Sequence, residues 1–245
     1  MNTNQLIVAL DVDSGQKARS LISRLHGVAG MFKIGSQLFT AAGPDLVREI
    51  ISSGERVFLD LKYHDIPNTV AQAGVEATRL GVTIFNLHAA GGSEMMRRTA
   101  EAVSTCAETE GLTRPLIIAV TVLTSANDAA LREVGHNSTA PELVARLALL
   151  AEQSGMDGVV ASPQEVAMVR SVVKRHDFVI VTPGIRPTNA QMADQKRVTT
   201  PREAILAGAD YIVVGRPILE ARDPAQAAKQ ILDEMQRGAA SSVTI

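Results

Sequence analysis

The stretch Asp60–Thr69, DLKYHDIPNT, sets two carboxylates and an ammonium within six positions, directly after the apolar run Val57-Phe58-Leu59. On an extended strand successive side chains point to opposite faces, so Phe58, Asp60 and Lys62 share one face while Val57, Leu59 and Leu61 share the other. Asp65 falls where such a strand ends, and Ile66 to Thr69 reads as the loop entering a helix. A surface salt bridge would need no special spacing and would contribute only about 0–1 kcal/mol. Charges at the tip of an otherwise buried strand are costly unless they are used. With Lys33, the cluster forms a row, Lys33, Asp60, Lys62 and Asp65, whose charges nearly cancel, which keeps the lysines protonated and the aspartates ionised in a partly dry site. A lysine held there can protonate a developing carbanion, which electrostatics would have to stabilise without metal or cofactor.

Positioning this row requires a scaffold, and the pattern of the chain supplies one. Short β-type runs occur at Leu6–Leu10, Met31–Ile34, Val57–Leu61, Thr83–Leu87, Leu116–Val122, Gly158–Ala161, Phe178–Val181 and Tyr211–Val214. Amphipathic helical segments lie between them at Gly15–His26, Ser36–Ser53, Thr69–Leu80, Ser93–Thr109, Pro141–Ser154, Pro163–Arg175, Pro201–Ala207 and Pro224–Arg237. Proline opens four of these helices, and Gly27, Gly54, Gly81, Gly111, Gly155 and Gly208 fall where helices should stop. Eight βα units with mostly apolar strands in 245 residues predict one (β/α)₈ TIM-barrel domain, 1–245, rather than an open doubly wound sheet. No G-x-G-x-x-G follows the first strand. The stretch Ile185–Thr200 reads as a long polar loop of the kind that serves as a lid or binding segment, and Gly238–Ile245 as a frayed tail.

In such barrels the active site lies at the carboxyl ends of the strands. Polar residues gather there: Asp11, Lys33, Asp60, Lys62, Asn86, His88, Thr124, Ser125, Arg186 and Arg216. Singly, each has a plain explanation. His88 and Asn86 read as hydrogen-bonded residues of the barrel mouth, and Thr124 and Ser125 as caps for the next segment. Together they mark one rim. Gly215-Arg216-Pro217 after the eighth strand and Pro183-Gly184-Ile185-Arg186 after the seventh fall where barrels commonly bind phosphate, with glycine allowing close backbone approach and arginine a forked permanent charge. A phosphorylated small molecule is the ligand class this predicts.

Composition narrows the alternatives. A net charge of −2 and the lack of any Lys/Arg-rich block argue against nucleic-acid binding through a basic surface. The start, MNTNQLIVALDVD, reads as a first strand, and its few apolar residues make neither a secretory signal nor a membrane span. The single cysteine, Cys106, has no internal disulfide partner, and the five histidines lack metal-ligand spacing. The expectation is a cytoplasmic protein with no metal and no cofactor.

These motifs resemble the orotidine 5′-phosphate decarboxylase family of bacterial type, from Ile7 to about Leu232: VALDV, FKIG, FLDLKYHDIPNT, NLHAAGG, AVTVLTS, DGVVAS, VTPGIRP, DQKR and VVGRPI. The resemblance implies conversion of orotidine 5′-phosphate to UMP and CO₂. It implies Lys62 as proton donor to C6 with Asp60 beside the leaving carboxylate, and Asp11 and Lys33 on the ribose. It further implies Thr124 or Ser125 at the pyrimidine or ribose, with Thr69 and Pro183 among the substrate contacts. Arg186, Gln195, Gly215 and Arg216 would hold the phosphate, and Asp65 would reach into a neighbouring subunit's site, making a homodimer with shared active sites. Two rival readings share the scaffold. A 3-keto-gulonate 6-phosphate decarboxylase would need Mg²⁺, and a non-catalytic UMP-binding protein would be expected to lack part of the charge row.

Overall fold

The computed structural model describes residues 5–187 and 199–241. Eight strands close into a parallel barrel in sequence order: β1 Leu6–Ala9, β2 Met31–Gly35, β3 Val57–Tyr63, β4 Ile84–His88, β5 Leu116–Val120, β6 Gly158–Val160, β7 Val179–Thr182 and β8 Tyr211–Val214. The helices α1 Gly15–Leu25, α2 Ser36–Ser52, α3 Pro67–Leu80, α4 Gly92–Glu110, α5 Asp128–Glu133, α6 Ala140–Gln153, α7 Val166–Val172, α8 Pro201–Leu206, α9 Arg216–Leu219 and α10 Pro224–Ser241 follow the strands. This is the (β/α)₈ barrel the apolar parallel strands require, because only helices on the outside can cover them.

Local sequence explains most boundaries. Ser14 caps α1 by accepting from the Lys17 N–H, Asn127 caps α5 through Ala130, and the pairs Thr139/Glu142 and Thr200/Glu203 form reciprocal capping boxes on α6 and α8. Gly81 and Gly111 end α3 and α4 in the left-handed conformation that a residue with a Cβ enters only with strain.

Several sequence-based boundaries shift. Pro163 does not open α7, which starts at Val166, because Ser162 and Glu165 first close a turn with the Glu165 carboxylate accepting the Ser162 N–H. Strand β5 ends at Val120 rather than Val122. The polar stretch after β7 is not wholly irregular, since Ile185 bridges Thr199 and Thr200 caps α8; residues 188–198 lie outside the described residues. The predicted frayed tail is helical as far as Ser241.

Two apolar layers follow from strand alternation. Ile7, Ala9, Met31, Phe58, Ile84, Ile118, Val181 and Val213 fill the barrel interior. The opposite faces, among them Val8, Phe32, Leu59, Phe85 and Ile180, pack against the helices. Each such large side chain contributes about 1.5–3 kcal/mol by leaving water.

The amino end of the barrel is closed by polar clamps. Asp157 accepts the Ile117 N–H at 2.7 Å and pairs with Arg114 at 2.8 Å, tying β5 to the start of β6. Asp210 does the same before β8, accepting the Ile180 N–H at 2.6 Å and pairing with Arg170. The seam between β6 and β7 is tight, because a Cβ at Gly158 would collide with the Val179 carbonyl oxygen. Among the described residues no helix is long and apolar enough to cross a membrane.

Candidate active site

The period-two alternation that fills the barrel also builds its mouth. Inward positions run Ile7, Ala9, Asp11 on β1 and its extension; Met31, Lys33 on β2; Phe58, Asp60, Lys62 on β3; and Ile84, Asn86 on β4. Each of these begins apolar and turns polar at its carboxyl end. The corresponding positions of β5–β8 stay apolar, with Val120, Val160, Val181 and Val213 facing the same space. At strand level the mouth is therefore charged on one side and aliphatic on the other, with Arg186 and Arg216 beyond β7 and β8. It encloses a cleft of about 330 Å³, within the range of small-ligand pockets.

The charged side is a continuous chain of ion pairs. Lys33 Nζ lies 3.1 Å from Asp11 Oδ1 and 3.1 Å from Asp60 Oδ2, while Lys62 Nζ donates to Asp60 Oδ1 at 2.7 Å. Burial works against ionisation of Asp60, but Lys33, Lys62 and the Asn86 amide outweigh it and hold the carboxyl below its ordinary value. Burial likewise works against charge on Lys33, and Asp60 and Asp11 reverse it, raising the ammonium above its ordinary range. The side chains of Lys33 and Asp60 are 12% and 11% exposed, whereas that of Lys62 is 35% exposed. Lys62 is thus the more open of the two ammonium groups, and Asp60 is the buried hub that fixes it.

Lys62 has a second peculiarity. Its φ of 54° makes it the one non-glycine residue in the left-handed region among the described residues. The β3–β4 ladder explains this, because its register slips between Leu59 and Tyr63, so that extra residues of β3 bulge toward the mouth.

The phosphate-type rim is also assembled. Pro183, Gly184 and Arg186 after β7 and Gly215, Arg216 and Pro217 after β8 line the cleft, as does Thr124. Gly215 precedes α9, and a Cβ there would touch Ala9 and come within 3.5 Å of Asp11 Oδ2. Neither Arg186 nor Arg216 has an ion-pair partner among the described residues. Free guanidinium groups at a rim with open backbone donors suit an anionic group.

Of the residues singled out in the sequence, Asp11, Lys33, Asp60, Lys62, Thr124, Pro183, Arg186, Gly215 and Arg216 come together in this cleft. Ser125 lines an adjoining groove that shares Leu123, Thr124, Pro183 and Gly184. Asp65 and Thr69 are exposed and do not line the cleft of their own chain; the Asp65 carboxylate accepts the Ile66 N–H at 2.6 Å. Gln195 lies outside the described residues. His88 stands at the end of β4 with its ring 5.5 Å from that of His64, and burial, with His64, lowers its pKa.

Sequence reading did not single out the valine wall or Leu123, which is 45% exposed at the cleft edge. The signal for the wall was available in the alternation of β5–β8, where Val120, Val160, Val181 and Val213 occupy the inward positions. Among the described residues no group of three or more acids, histidines or cysteines is arranged to hold a metal.

A closed parallel barrel with a catalytic-type charge row and an anion rim at the carboxyl ends of its strands defines a (β/α)₈-barrel enzyme of phosphorylated substrates. Within that class the chain belongs to the orotidine 5′-phosphate decarboxylase / HUMPS family, whose model matches residues 4–231. It is 54% identical to the orotidine 5′-phosphate decarboxylase of Syntrophotalea carbinolica over 231 residues, 94% of each chain. It is 54% identical to that of Geobacter sulfurreducens over 234 residues, 96% of this chain and 97% of the other. Among solved structures, the orotidine 5′-phosphate decarboxylase of Lactobacillus acidophilus is 37% identical and superposes with a TM-score of 0.84, covering 95% of this chain and 99% of that one.

Proposed function

We infer that the protein is an orotidine 5′-phosphate decarboxylase, converting orotidine 5′-phosphate to UMP and CO₂ in pyrimidine biosynthesis, and we place it in the cytoplasm. The observation that carries this reading is the chain Asp11–Lys33–Asp60–Lys62 at the mouth, with its more exposed ammonium on Lys62. The pyrimidine sits with its C6 edge toward Lys62 and Asp60 and its other edges toward the valine wall and Thr124 or Ser125. Asp11 and Lys33 hold the ribose hydroxyls, and Arg186, Gln195, Gly215 and Arg216 hold the phosphate.

The bond from C6 to the carboxylate breaks, CO₂ leaves, and the electron pair stays on C6. Lys62 Nζ donates a proton to that carbon and is reprotonated from water. Asp60 faces the substrate carboxylate and raises its energy, while the ammonium of Lys62 stabilises the charge that develops as CO₂ departs. The second effect dominates, because a positioned charge in a dry site acts on the transition state directly. Phosphate binding far from C6 supplies energy for closing the site.

Asp65 completes the charge row of a second subunit, which makes a homodimer the active form. Its exposure beside Ile66, itself 66% exposed, supports this placement.

The test follows the orotate ultraviolet band after purified protein is added to orotidine 5′-phosphate in the presence of EDTA. Rapid loss of the band with UMP as product is expected. Turnover of a keto-sugar phosphate only after Mg²⁺ is added would move the protein to the metal-dependent branch, and tight UMP binding without turnover would make it a binding protein.

A further inference from the structure

Asn86 is fully buried on β4 and makes two hydrogen bonds of opposite sense. Its Oδ1 accepts the backbone N–H of Lys62 at 2.8 Å, and its Nδ2 donates to Asp60 Oδ1 at 2.6 Å. The orientation of the amide is forced, since an N–H can face only the oxygen and an ionised carboxylate only the nitrogen.

The bulge between Leu59 and Tyr63 takes the Lys62 N–H out of the strand ladder, where a buried donor would be costly without an acceptor. The Asn86 side chain replaces the missing strand partner. The same side chain also reaches Asp60 Oδ1, the atom that receives the Lys62 ammonium at 2.7 Å. Backbone and side-chain ends of Lys62 are therefore held by one residue, the second through Asp60.

We propose that Asn86 is the positioning residue of this active site, a clamp that locks Lys62 in its left-handed conformation and orients Asp60 so that the ammonium is aimed into the cleft. Asn86 does not line the cleft and acts only through its two neighbours. The proposal rests on the decarboxylase reading. Without the clamp, Lys62 relaxes toward extended backbone, which other residues in strands adopt, and its Nζ leaves the position from which it meets C6. Substrate contacts to ribose and phosphate come from other strands and stay in place.

Asn86→Asp is the sharpest probe, because it keeps the size and the acceptor for the Lys62 N–H but replaces the donor to Asp60 with an oxygen. Ionised, the new carboxylate repels Asp60; protonated, it can donate as the amide does. The charged or titratable groups around it are Asp60 and Lys62 on β3, Lys33 on β2 and His88 on β4, while β5 presents Ile118 opposite it. The expected result is a kcat lowered about 100-fold at pH 8, with KM within about threefold of the wild type and activity recovering as pH falls. Asn86→Ser, which cannot bridge both partners, should lower kcat by a similar factor with no recovery in acid.

Wild-type turnover in the same assay separates the two levels: an inactive wild type refutes the decarboxylase reading, whereas active variants refute the clamp. A kcat within about threefold of wild type in folded Asn86→Asp at every pH would overturn the proposal. So would failure of both variants to fold, since the role of Asn86 would then be structural. If only Asn86→Ser folds, its kcat against KM decides.

Discussion

Replacing Lys62 with alanine separates the two ways in which the charge row can lower the barrier. The variant keeps a non-glycine residue at φ 54°, so backbone strain at the bulge is unchanged. Asp60 keeps Lys33 at 3.1 Å on Oδ2 and the Asn86 amide at 2.6 Å on Oδ1, so its carboxylate remains ionised and in place to repel the substrate carboxylate. What is lost is the more exposed ammonium of the row. A unit charge about 4 Å from the developing carbanion, at an effective dielectric of about 20, is worth about 4 kcal/mol, or roughly a thousandfold in rate. Loss of positioned proton delivery removes about another 10²- to 10⁴-fold. The expected kcat for Lys62→Ala is therefore lower by about 10⁵- to 10⁷-fold, measured by loss of the orotate band at high enzyme concentration, with UMP affinity changed far less. If ground-state repulsion by Asp60 did most of the work, the variant would retain most of its rate. A kcat within about tenfold of wild type would refute the argument.

Three further outcomes are expected. Because the Asp60 carboxyl is held below its unfolded value of 3.8, its contribution to stability is fully present above that pH and is lost as pH falls through the lower folded value; urea unfolding between about pH 2 and 5 should therefore show a shallower acid loss in Asp60→Asn than in wild type. Arg216→Ala should raise KM for orotidine 5′-phosphate about 10- to 100-fold, as expected for one lost hydrogen-bonded charge, and leave turnover of the unphosphorylated nucleoside unchanged. Mixing inactive Lys62→Ala with inactive Asp65→Ala should restore about a quarter of wild-type activity, because half the dimers are mixed and each has one intact site; no recovery, or a monomer by sedimentation, would refute the shared site.

Much of this arrangement was legible because a strand has a period of two. Asp60 and Lys62 could be placed beside Phe58 from spacing alone, and the mouth of the barrel followed from counting βα units. The alternation does not announce the bulge that moves Lys62 into the left-handed region, since lysine has no preference for that conformation and the slip in register is a property of β3 and β4 together. Asn86 was visible as a polar residue in an apolar strand, but its partners are 24 and 26 positions away and depend on that slip. Helices α5 and α9, of six and four residues, are too short to show a helical period and went unpredicted. Asp65 illustrates a different gap. Its sequence distance from Lys62 suggests one row, yet in its own chain it bonds to the Ile66 N–H outside the cleft, so spacing alone does not place it in a site of its own chain.

The division of the mouth into a charged and an aliphatic half has a physical consequence for the chemistry. Fixed charges act most strongly where solvent cannot reorient around them, and Val120, Val160, Val181 and Val213 line the cleft with atoms that neither hydrogen-bond nor carry dipoles able to reorient. Set against Lys33, Asp60 and Lys62, that wall leaves the charge row as the main field at strand level, with Arg186 and Arg216 on the rim beyond it. The row is itself stable because every charge in its buried part is shared: Asp60 serves both lysines, and Lys33 serves both aspartates. Of the two lysines, Lys62 has the more room for another partner. In the proposed reaction a departing carboxylate would leave its electron pair beside that ammonium, and the proton transfer that follows would neutralise a pair of charges in a site where separated charges are costly. On the proposed mechanism, protonation of the carbon is the outcome that these electrostatics favour.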